Sequence, residues 1–320
     1  MPGIDPFIFA AYHQDHYPKG NGRLGPDAAL LRGRDIGMDF SGRDGWSMYH
    51  GEEIPAFRRT RTVLRNRDYR APGTGGPCRF AGCHGALRRG RRAVADHRQR
   101  RAARRDVPAG ARGQGNTLDL FQIWLNLPAK NKLAPPDFTM FWAHTIPRVT
   151  LPGSEVEVIA GNYGAVRALP PPRASWASEA DADVAIWIVR IEPGASVTLS
   201  AASDRARRAI YLTTGRSFVV GGQHFDRRVM VEVRANQPAP LHNDSAEVIE
   251  LLVLQGKPIG EPVAARGPFV MNTQEELVQT IRDYQRTEFG GWPWPSREHT
   301  HGTSGRFAQH PGGRVERPEV

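Results

Sequence analysis

The sequence has very few cysteines and no long apolar run. Only Cys78 and Cys83 are present among its 320 residues. Two thiols at this spacing make neither a disulfide framework nor a four-ligand zinc site. The longest uninterrupted apolar run, Val184–Val189, is far too short to span a bilayer. Residues 1–19 lack the charged stretch and apolar run of a secretory signal. We therefore expect a soluble, cytoplasmic protein without a membrane segment.

Lysine is absent from the most basic part of the chain, residues 57–114. This segment holds 17 of the 43 basic residues and three of the 33 acidic ones, so its formal charge is +14 while the rest of the chain carries −4. Its only aromatic residues are Phe57, Tyr69 and Phe80. Nucleic-acid grooves usually combine Arg and Lys with stacking aromatics on a structured scaffold. The segment therefore does not favour nucleic-acid binding.

The two flanks of this segment have the composition of an ordinary globular β-protein. Residues 1–56 predict short strands joined by loops, because turn residues are frequent and alternation is weak. Alternation over Thr117–Leu127 predicts a buried strand that ends at Pro128. Two further short strands are predicted at Phe138–Trp142 and Glu155–Ile159.

Beyond residue 183 the sequence predicts a regular series of short strands. Turn signals containing Gly or Pro separate six segments: Val184–Ile191, Ser196–Leu199, Ala209–Thr213, Ser217–Val220, Val229–Val233 and Glu247–Leu254. Closely spaced strands with this punctuation predict an all-β sandwich or barrel. The Pro-rich residues 169–183 before them are typical of a linker or surface loop.

One helix is predicted near the end of the chain. Thr273 and Glu276 have the spacing of a capping box. Leu277, Ile281 and Tyr284 then fall on one face, and Gly290-Gly291 predicts the end of the helix. Residues 292–320 show no periodicity, and we expect them to form a loosely packed or disordered tail.

Four stretches resemble proteins of the pirin family: Asp39–Gly51, Leu120–Lys130, Val158–Gly161 and Gly267–Thr273. Among them, Gln-Ile-Trp-Leu-Asn-Leu-Pro and Gly-Pro-Phe-Val-Met-Asn-Thr are specific signatures of that family. The resemblance covers roughly residues 5–56 and 114–295. It implies an all-β bicupin, two antiparallel β-barrels side by side, with a short C-terminal helix.

The resemblance implies the following division of the chain. The first cupin domain begins in residues 1–57 and ends in 115–168, with the Arg-rich residues 58–114 between these parts. The chain continues with a linker at 169–183, the second cupin domain at 184–270, the helix at 271–291 and the tail at 292–320.

Pirins typically bind one iron in the first barrel, through His-Pro-His-Arg-Gly and a later His-Ser-Glu. Two His separated by one residue on a strand face the same side, and a further His and a Glu complete an N/O site suited to Fe(II). The resemblance therefore implies quercetinase-like dioxygenase activity on a phenolic substrate, or else non-catalytic binding to a transcriptional regulator. Neither metal motif occurs anywhere in this sequence. We expect no catalytic, cofactor-binding or metal-binding residues in this chain, no bound iron and no catalysis.

The Arg-rich segment stands where the first metal motif is expected. Codons CAC-CCG-CAC-CGT-G, for His-Pro-His-Arg and the next base, give Thr-Arg-Thr-Val when read one base late, and Thr60–Val63 has this sequence. A looser match, with codons chosen to fit, relates Ser-Glu-Met-Phe-Pro read two bases late to Arg105–Pro108. Out-of-frame GC-rich DNA also yields an excess of Arg, Ala, Gly and Pro.

We therefore hypothesise that residues 58–114 are an out-of-frame reading of the metal-binding core. A sequencing error or a pair of compensating indels would produce it, and a genuine Arg-rich insertion stays open as the alternative. We expect the segment to be exposed and poorly ordered. The first barrel would then be incomplete, with unpaired strand edges that favour aggregation.

The histidines are not arranged as a cupin metal site. His84 and His97 have only Asp96 as a carboxylate near ligand spacing, so we expect them on the surface. His50 could line a pocket mouth, although a structural hydrogen bond is the simpler role. The remaining candidates are isolated or lack a scaffold: His144, His224, His242, His299 and His301. Trp124 and Trp187 are expected in the core.

Overall fold

The computed structural model describes residues 3–19, 21, 26–48, 64–70, 116–134, 139–226, 229–287, 308–309 and 314–317, with the backbone alone at 64–70, 116–120 and Gln309. Several predictions lie outside these residues. They concern the Arg-rich segment apart from 64–70, the end of the helix at Gly290-Gly291 and most of the tail. The residues Cys78, Cys83, His50, His84, His97, His299 and His301 also lie outside the described part.

Strands dominate the described chain, and one α-helix, α1, spans Gln274–Thr287. In chain order the strands are β1 Phe7–Tyr17, β2 Leu64–Arg70, β3 Asn116–Leu125, β4 Arg148–Leu151, β5 Ser154–Ala160, β6 Asn162–Tyr163, β7 Val166–Arg167, β8 Ala185–Ile191, β9 Ser196–Leu199, β10 Arg207–Thr214, β11 Phe218–Val220, β12 Gln223–Phe225, β13 Met230–Arg234, β14 Ala239–His242, β15 Ile249–Gly256, β16 Ala264–Arg266, β17 Phe269–Met271, β18 Ala308–Gln309 and β19 Val315–Glu316. The predicted fold class, an all-β bicupin with a short helix, is confirmed.

An N-terminal sheet of order β1-β3-β2 represents the first barrel in the described residues. β1 pairs antiparallel with β3 along its whole length, and β2, inside the Arg-rich segment, pairs parallel with β3. The prediction of short strands near the N-terminus is wrong for residues 7–17. They form one strand of 11 residues, because continuous pairing with β3 holds the polar stretch around His13 and His16 extended despite its weak alternation.

The second barrel is formed by a large sheet of order β13-β10-β15-β8-β5-β4 and a small sheet of order β12-β11-β14-β9. Apolar residues between the two sheets form the barrel interior, which includes Trp187, Ile210 and Val253 of the large sheet and Leu241 of the small sheet. Two sheets packed face to face bury alternate residues of each strand.

The N-terminal sheet packs against the other face of the large sheet. This second core joins Phe7, Phe121 and Ile123 to Ile188 and Leu252. The large sheet is therefore covered on both faces, so β8, β10 and β15 are buried along almost their whole length. Burial on both faces explains why these three strands have nearly continuous apolar sequences rather than simple alternation.

The large sheet crosses the predicted boundary between the two cupin domains. β4 and β5 lie within the predicted end of the first domain, yet β5 pairs antiparallel with β8 of the second. The predicted linker, residues 169–183, contains 3-10 turns at Trp176–Ser178 and Ala180–Ala182. Ser175 and Ala182 within it are buried, so this segment packs against the barrel. The division into domains stays a prediction.

Most local predictions for the second barrel are confirmed. Each of the six predicted strands corresponds to an observed one, and Thr273 and Glu276 form the predicted capping box at the start of α1. β12 and β14 were not predicted, because turn residues surround β12 and Pro240 lies inside β14. The strand predicted at Phe138–Trp142 is wrong for its described part, because residues 139–142 form no strand.

Candidate ligand-binding cleft of the second barrel

The described residues do not fit the iron site that the family resemblance implies. No group of three or more His, Cys, Asp or Glu side chains could hold a metal ion in the described part of the chain. His224 Nε2 lies 3.0 Å from Asp244 Oδ2, and His242 Nδ1 lies 2.9 Å from Ser196 Oγ. His144 lies exposed on a turn. His224 and His242 thus have different hydrogen-bond partners.

A cleft of about 930 Å³ opens at one end of the second barrel. Antiparallel pairing brings the start of β8, the start of β10 and the end of β15 to this end, because Gln255 lies opposite both Ala185 and Arg208. The hairpin β6–β7 and parts of residues 169–183 line the same cleft. The strand ends of the barrel therefore supply the floor, and the predicted linker supplies the rim.

Three polar or amphipathic side chains of the floor face the barrel interior. Arg208 is two residues from interior Ile210, Gln255 is two residues from interior Val253, and Trp187 itself belongs to the interior core. Strand alternation therefore directs all three side chains inward. Arg208 is completely buried, and Gln255 and Trp187 are nearly so.

Arg208 has neutral hydrogen-bond partners only. Its Nε and Nη2 atoms donate to the same oxygen, Gln255 Oε1, at 2.9 and 2.6 Å. Nη2 also donates to the Ser200 carbonyl oxygen at 2.6 Å. Nη1 is buried without a hydrogen-bond partner, and so is Nε1 of Trp187. Two donors at this floor therefore lack an acceptor, and a buried donor without an acceptor costs free energy.

The charge of Arg208 is balanced only in part. Burial lowers the pKa of Arg208 from its ordinary value, and the negative charge of Asp183 opposes this shift. Asp183 does not contact the guanidinium. Oδ2 of Asp183 accepts from the backbone N–H of Ser203 at 2.8 Å, and Gln255 Nε2 donates to the backbone carbonyl oxygen of Asp183 at 3.2 Å. Gln255 thus lies between the two charges.

The rim adds further positive charge and an apolar wall. Arg167 and Arg173 line the cleft, whereas its other carboxylate, Glu179, pairs with Lys130 at 3.3 Å. The rings of Tyr163 and Trp187 pack edge to face with their centroids 5.4 Å apart. Four further apolar residues line the same cleft: Leu169, Pro170, Pro171 and Val184. The cleft therefore offers a cationic floor beside an aromatic and aliphatic wall.

Sequence reasoning did not identify this cleft. Trp187 was predicted as a core residue, which is confirmed, but its place at the cleft was not foreseen. Alternation in Arg208-Ala-Ile-Tyr-Leu212 was an available signal, because it places Arg208 on the same face as Ile210 and Leu212. The partner Gln255 required the register between β10 and β15, which the sequence does not give.

Comparisons with known proteins find a family match for most of the second barrel. The profile of the family described as "Pirin C-terminal cupin domain" matches residues 186–290. The chain is 31% identical over 180 residues to a protein of Pseudomonas aeruginosa named as a candidate quercetin 2,3-dioxygenase, covering 56% of this chain and 59% of that protein. It is 29% identical over 173 residues to Pirin-1 of Arabidopsis thaliana, covering 53% and 57%.

A crystal structure of quercetin 2,3-dioxygenase from Acinetobacter baumannii is also similar. It has 28% sequence identity and a TM-score of 0.48, over 55% of this chain and 59% of that chain. The chain spans about three fifths of the length of the curated relatives that it matches first. In the part of the chain that the structure describes, no helix has the length and apolar character needed to cross a membrane.

Proposed function

We propose that this chain, whose residues 186–290 match the pirin C-terminal cupin domain, is a pirin-like cupin protein without the family's iron-dependent dioxygenase activity. One observation carries the proposal: neither His-Pro-His nor His-Ser-Glu occurs in the sequence. The described residues, which hold no group of three metal ligands, support it. Without such ligands, iron has no held position from which to bind oxygen beside a substrate.

Oxygen consumption tests the proposed loss of activity. The purified chain is loaded with Fe(II) and mixed with quercetin as the phenolic probe, and oxygen uptake is followed with an electrode. We expect uptake no faster than that of free Fe(II) with quercetin. A matched control replaces residues 58–114 with a segment that carries both metal motifs in frame, and we expect this chain to consume oxygen. Rapid uptake by the unaltered chain would overturn the proposal.

We also propose that residues 58–114 are an out-of-frame reading of the metal-binding core. The match of Thr60–Val63 to shifted His-Pro-His-Arg codons supports this origin. Sequencing the gene across about codons 55–116 tests it. A frame that runs continuously through both metal motifs would identify an ordinary iron-binding pirin in the source. An Arg-rich frame would mean either a genuine pair of indels or a genuine insertion.

A second candidate function is non-catalytic binding to a transcriptional regulator, in the cytoplasm. The family relationship supports it, and it requires no metal ligand from this chain. Pull-down of regulators, with and without added iron, separates it from dioxygenase activity on a phenolic substrate. The strongly basic segment calls for one further control. A gel shift at low salt would show nucleic-acid binding that weakens steeply as salt is raised, and we expect none.

A further inference from the structure

We propose that the cleft of the second barrel binds a small organic carboxylate, whose oxygens accept hydrogen bonds from Arg208 while its apolar body lies against Trp187 and the rim. This site requires no metal and none of residues 58–114. It is therefore independent of the proposed loss of dioxygenase activity.

The floor of the cleft carries a cation that lacks an ionic partner. Among the ion pairs of the described residues none includes Arg208, and its hydrogen-bond acceptors are an amide oxygen and a carbonyl oxygen. Asp183 is held by Ser203 and faces Gln255. A buried guanidinium normally requires a paired anion. A bound carboxylate would supply that charge.

The donors without acceptors at the floor suit the oxygens of a carboxylate. Because Nε and Nη2 of Arg208 already donate to Gln255 and Ser200, a ligand oxygen can accept from Nη1, and a hydrogen bond between an arginine N–H and a carboxylate oxygen is one of the strong, charge-assisted kind. Nη1 of Arg208 and Nε1 of Trp187 both lack acceptors, and the Arg208 guanidinium carbon lies 5.8 Å from the centroid of the Trp187 ring. Both atoms are buried, so the group that accepts from them must be small and must lie at the end of the ligand.

The wall of the cleft indicates the remainder of the ligand. Trp187 of the floor, together with Tyr163 and Leu169 of the rim, presents aromatic and aliphatic surface beside Arg208. The Tyr163 hydroxyl donates to the carbonyl oxygen of Thr198 at 3.1 Å, and burial raises the pKa of Tyr163, so its ring stays uncharged at neutral pH. An apolar or aromatic body attached to the carboxylate fits such a wall.

Two probes of nearly equal shape test the proposal on the full chain. Benzoate carries the carboxylate, and benzamide replaces it with a neutral amide. Binding is measured by calorimetry in buffer containing EDTA, so that no metal contributes. We expect saturable binding of benzoate, and binding of benzamide that is at least about tenfold weaker, because hydrogen bonds to charged groups are the stronger ones. Equal binding of the two probes, or no binding of benzoate, would overturn the proposal.

Variants of two adjacent arginines locate the site. Arg208→Met removes the buried cation, and we expect at least a tenfold loss of benzoate affinity. Arg207→Met is the matched control, because Arg207 lies on the same strand but its Nε bonds Glu232 Oε1 at 2.7 Å outside the cleft. We expect the Arg207→Met variant to bind benzoate with an affinity within about twofold of that of the parent chain. Equal losses in both variants would refute the assignment of Arg208.

A third variant and a folding control keep the test decisive. Trp187→Phe removes the indole N–H while keeping an aromatic wall, and we expect benzoate to bind a few-fold more weakly. Circular dichroism establishes whether each variant is folded. Should Arg208→Met fail to fold, the comparison of benzoate with benzamide on the parent chain decides the proposal alone. None of these outcomes depends on iron content or oxygen uptake.

Discussion

Arg208 and Gln255 form the polar floor of the second barrel, with two arginine nitrogens donating to one glutamine oxygen at 2.9 and 2.6 Å. The two residues lie directly opposite each other on β10 and β15. Beside the apolar core of the barrel interior, this pair keeps a buried cation in place. It also links that cation, through Gln255 Nε2, to Asp183.

The first prediction concerns this pair. Gln255→Leu leaves Nε of Arg208 without an acceptor and Nη2 with the Ser200 carbonyl alone. We expect the free energy of unfolding to fall by roughly 3 kcal/mol, because breaking a buried bond to a charged group leaves its desolvation uncompensated. Urea denaturation measures it. Gln279→Leu, on the exposed face of α1, is the control and should change stability by less than about 0.5 kcal/mol.

The second prediction concerns two glycines beside the cleft. Gly161 has φ +73°, and an added Cβ would lie 2.3 Å from the Val184 carbonyl oxygen; Gly164 has φ +57° with nothing within 4 Å. Gly164→Ala meets backbone strain alone, and we expect a loss of about 1–2 kcal/mol. Gly161→Ala must also displace the chain just before β8, so its loss should reach about 3 kcal/mol or more. Thermal unfolding of both variants measures the two losses of stability, and losses of similar size would contradict this explanation.

The third prediction concerns the start of α1. The backbone N–H of Glu276 donates to Thr273 Oγ1 at 3.2 Å, and Glu276 Oε2 accepts from the backbone N–H of Thr273 at 3.0 Å. Thr273→Ala removes one half of this capping box, and we expect a loss of about 1 kcal/mol. Thr273→Ser keeps the hydroxyl and should restore most of it. Denaturant unfolding of the two variants provides the comparison, and equal stabilities would rule out the cap.

The fourth prediction concerns the buried amine of Lys132. Nζ of Lys132 donates to Asn126 Oδ1 at 2.8 Å and to the Leu127 carbonyl oxygen. Burial lowers the pKa of Lys132 from 10.5 to about 8, although Glu261, Glu276 and Asp5 oppose the shift. The unfolded chain therefore binds this proton more tightly than the folded chain does.

The sign of the pH dependence follows from that difference. Between pH 8 and 10.5 the unfolded state holds more protons, so the contribution of Lys132 to stability rises with pH, by at most about 1.4 kcal/mol per pH unit. Below pH 8 both states hold the proton, so the slope is zero there and the destabilisation by the buried charge is constant. Urea unfolding at pH 7.5, 8.5 and 9.5 measures the slope, and Lys132→Met should flatten it. Lys130→Met, at an exposed amine, should leave the slope as it is.

The sequence was sufficient for the local structure of the second barrel, but not for its pairing. Apolar runs between Gly and Pro turns located β8, β10 and β15, and the Thr273–Glu276 spacing located α1. Pro240 concealed β14, because proline usually marks a turn. The pairing of Val156 with Val189 depends on tertiary register, which the sequence does not give. The floor residues Arg208 and Gln255 are 47 positions apart and could not be paired from the sequence alone.

Bound iron tests the central claim most directly. The chain is purified, incubated anaerobically with excess Fe(II), freed of unbound metal by gel filtration and measured by elemental analysis. The chain carrying both metal motifs in frame is treated in parallel, and we expect it to retain about one iron per polypeptide. For the unaltered chain we predict well under about 0.1 iron per polypeptide, because the chain lacks the N/O ligand set that Fe(II) requires. Retention of about one equivalent would contradict the account.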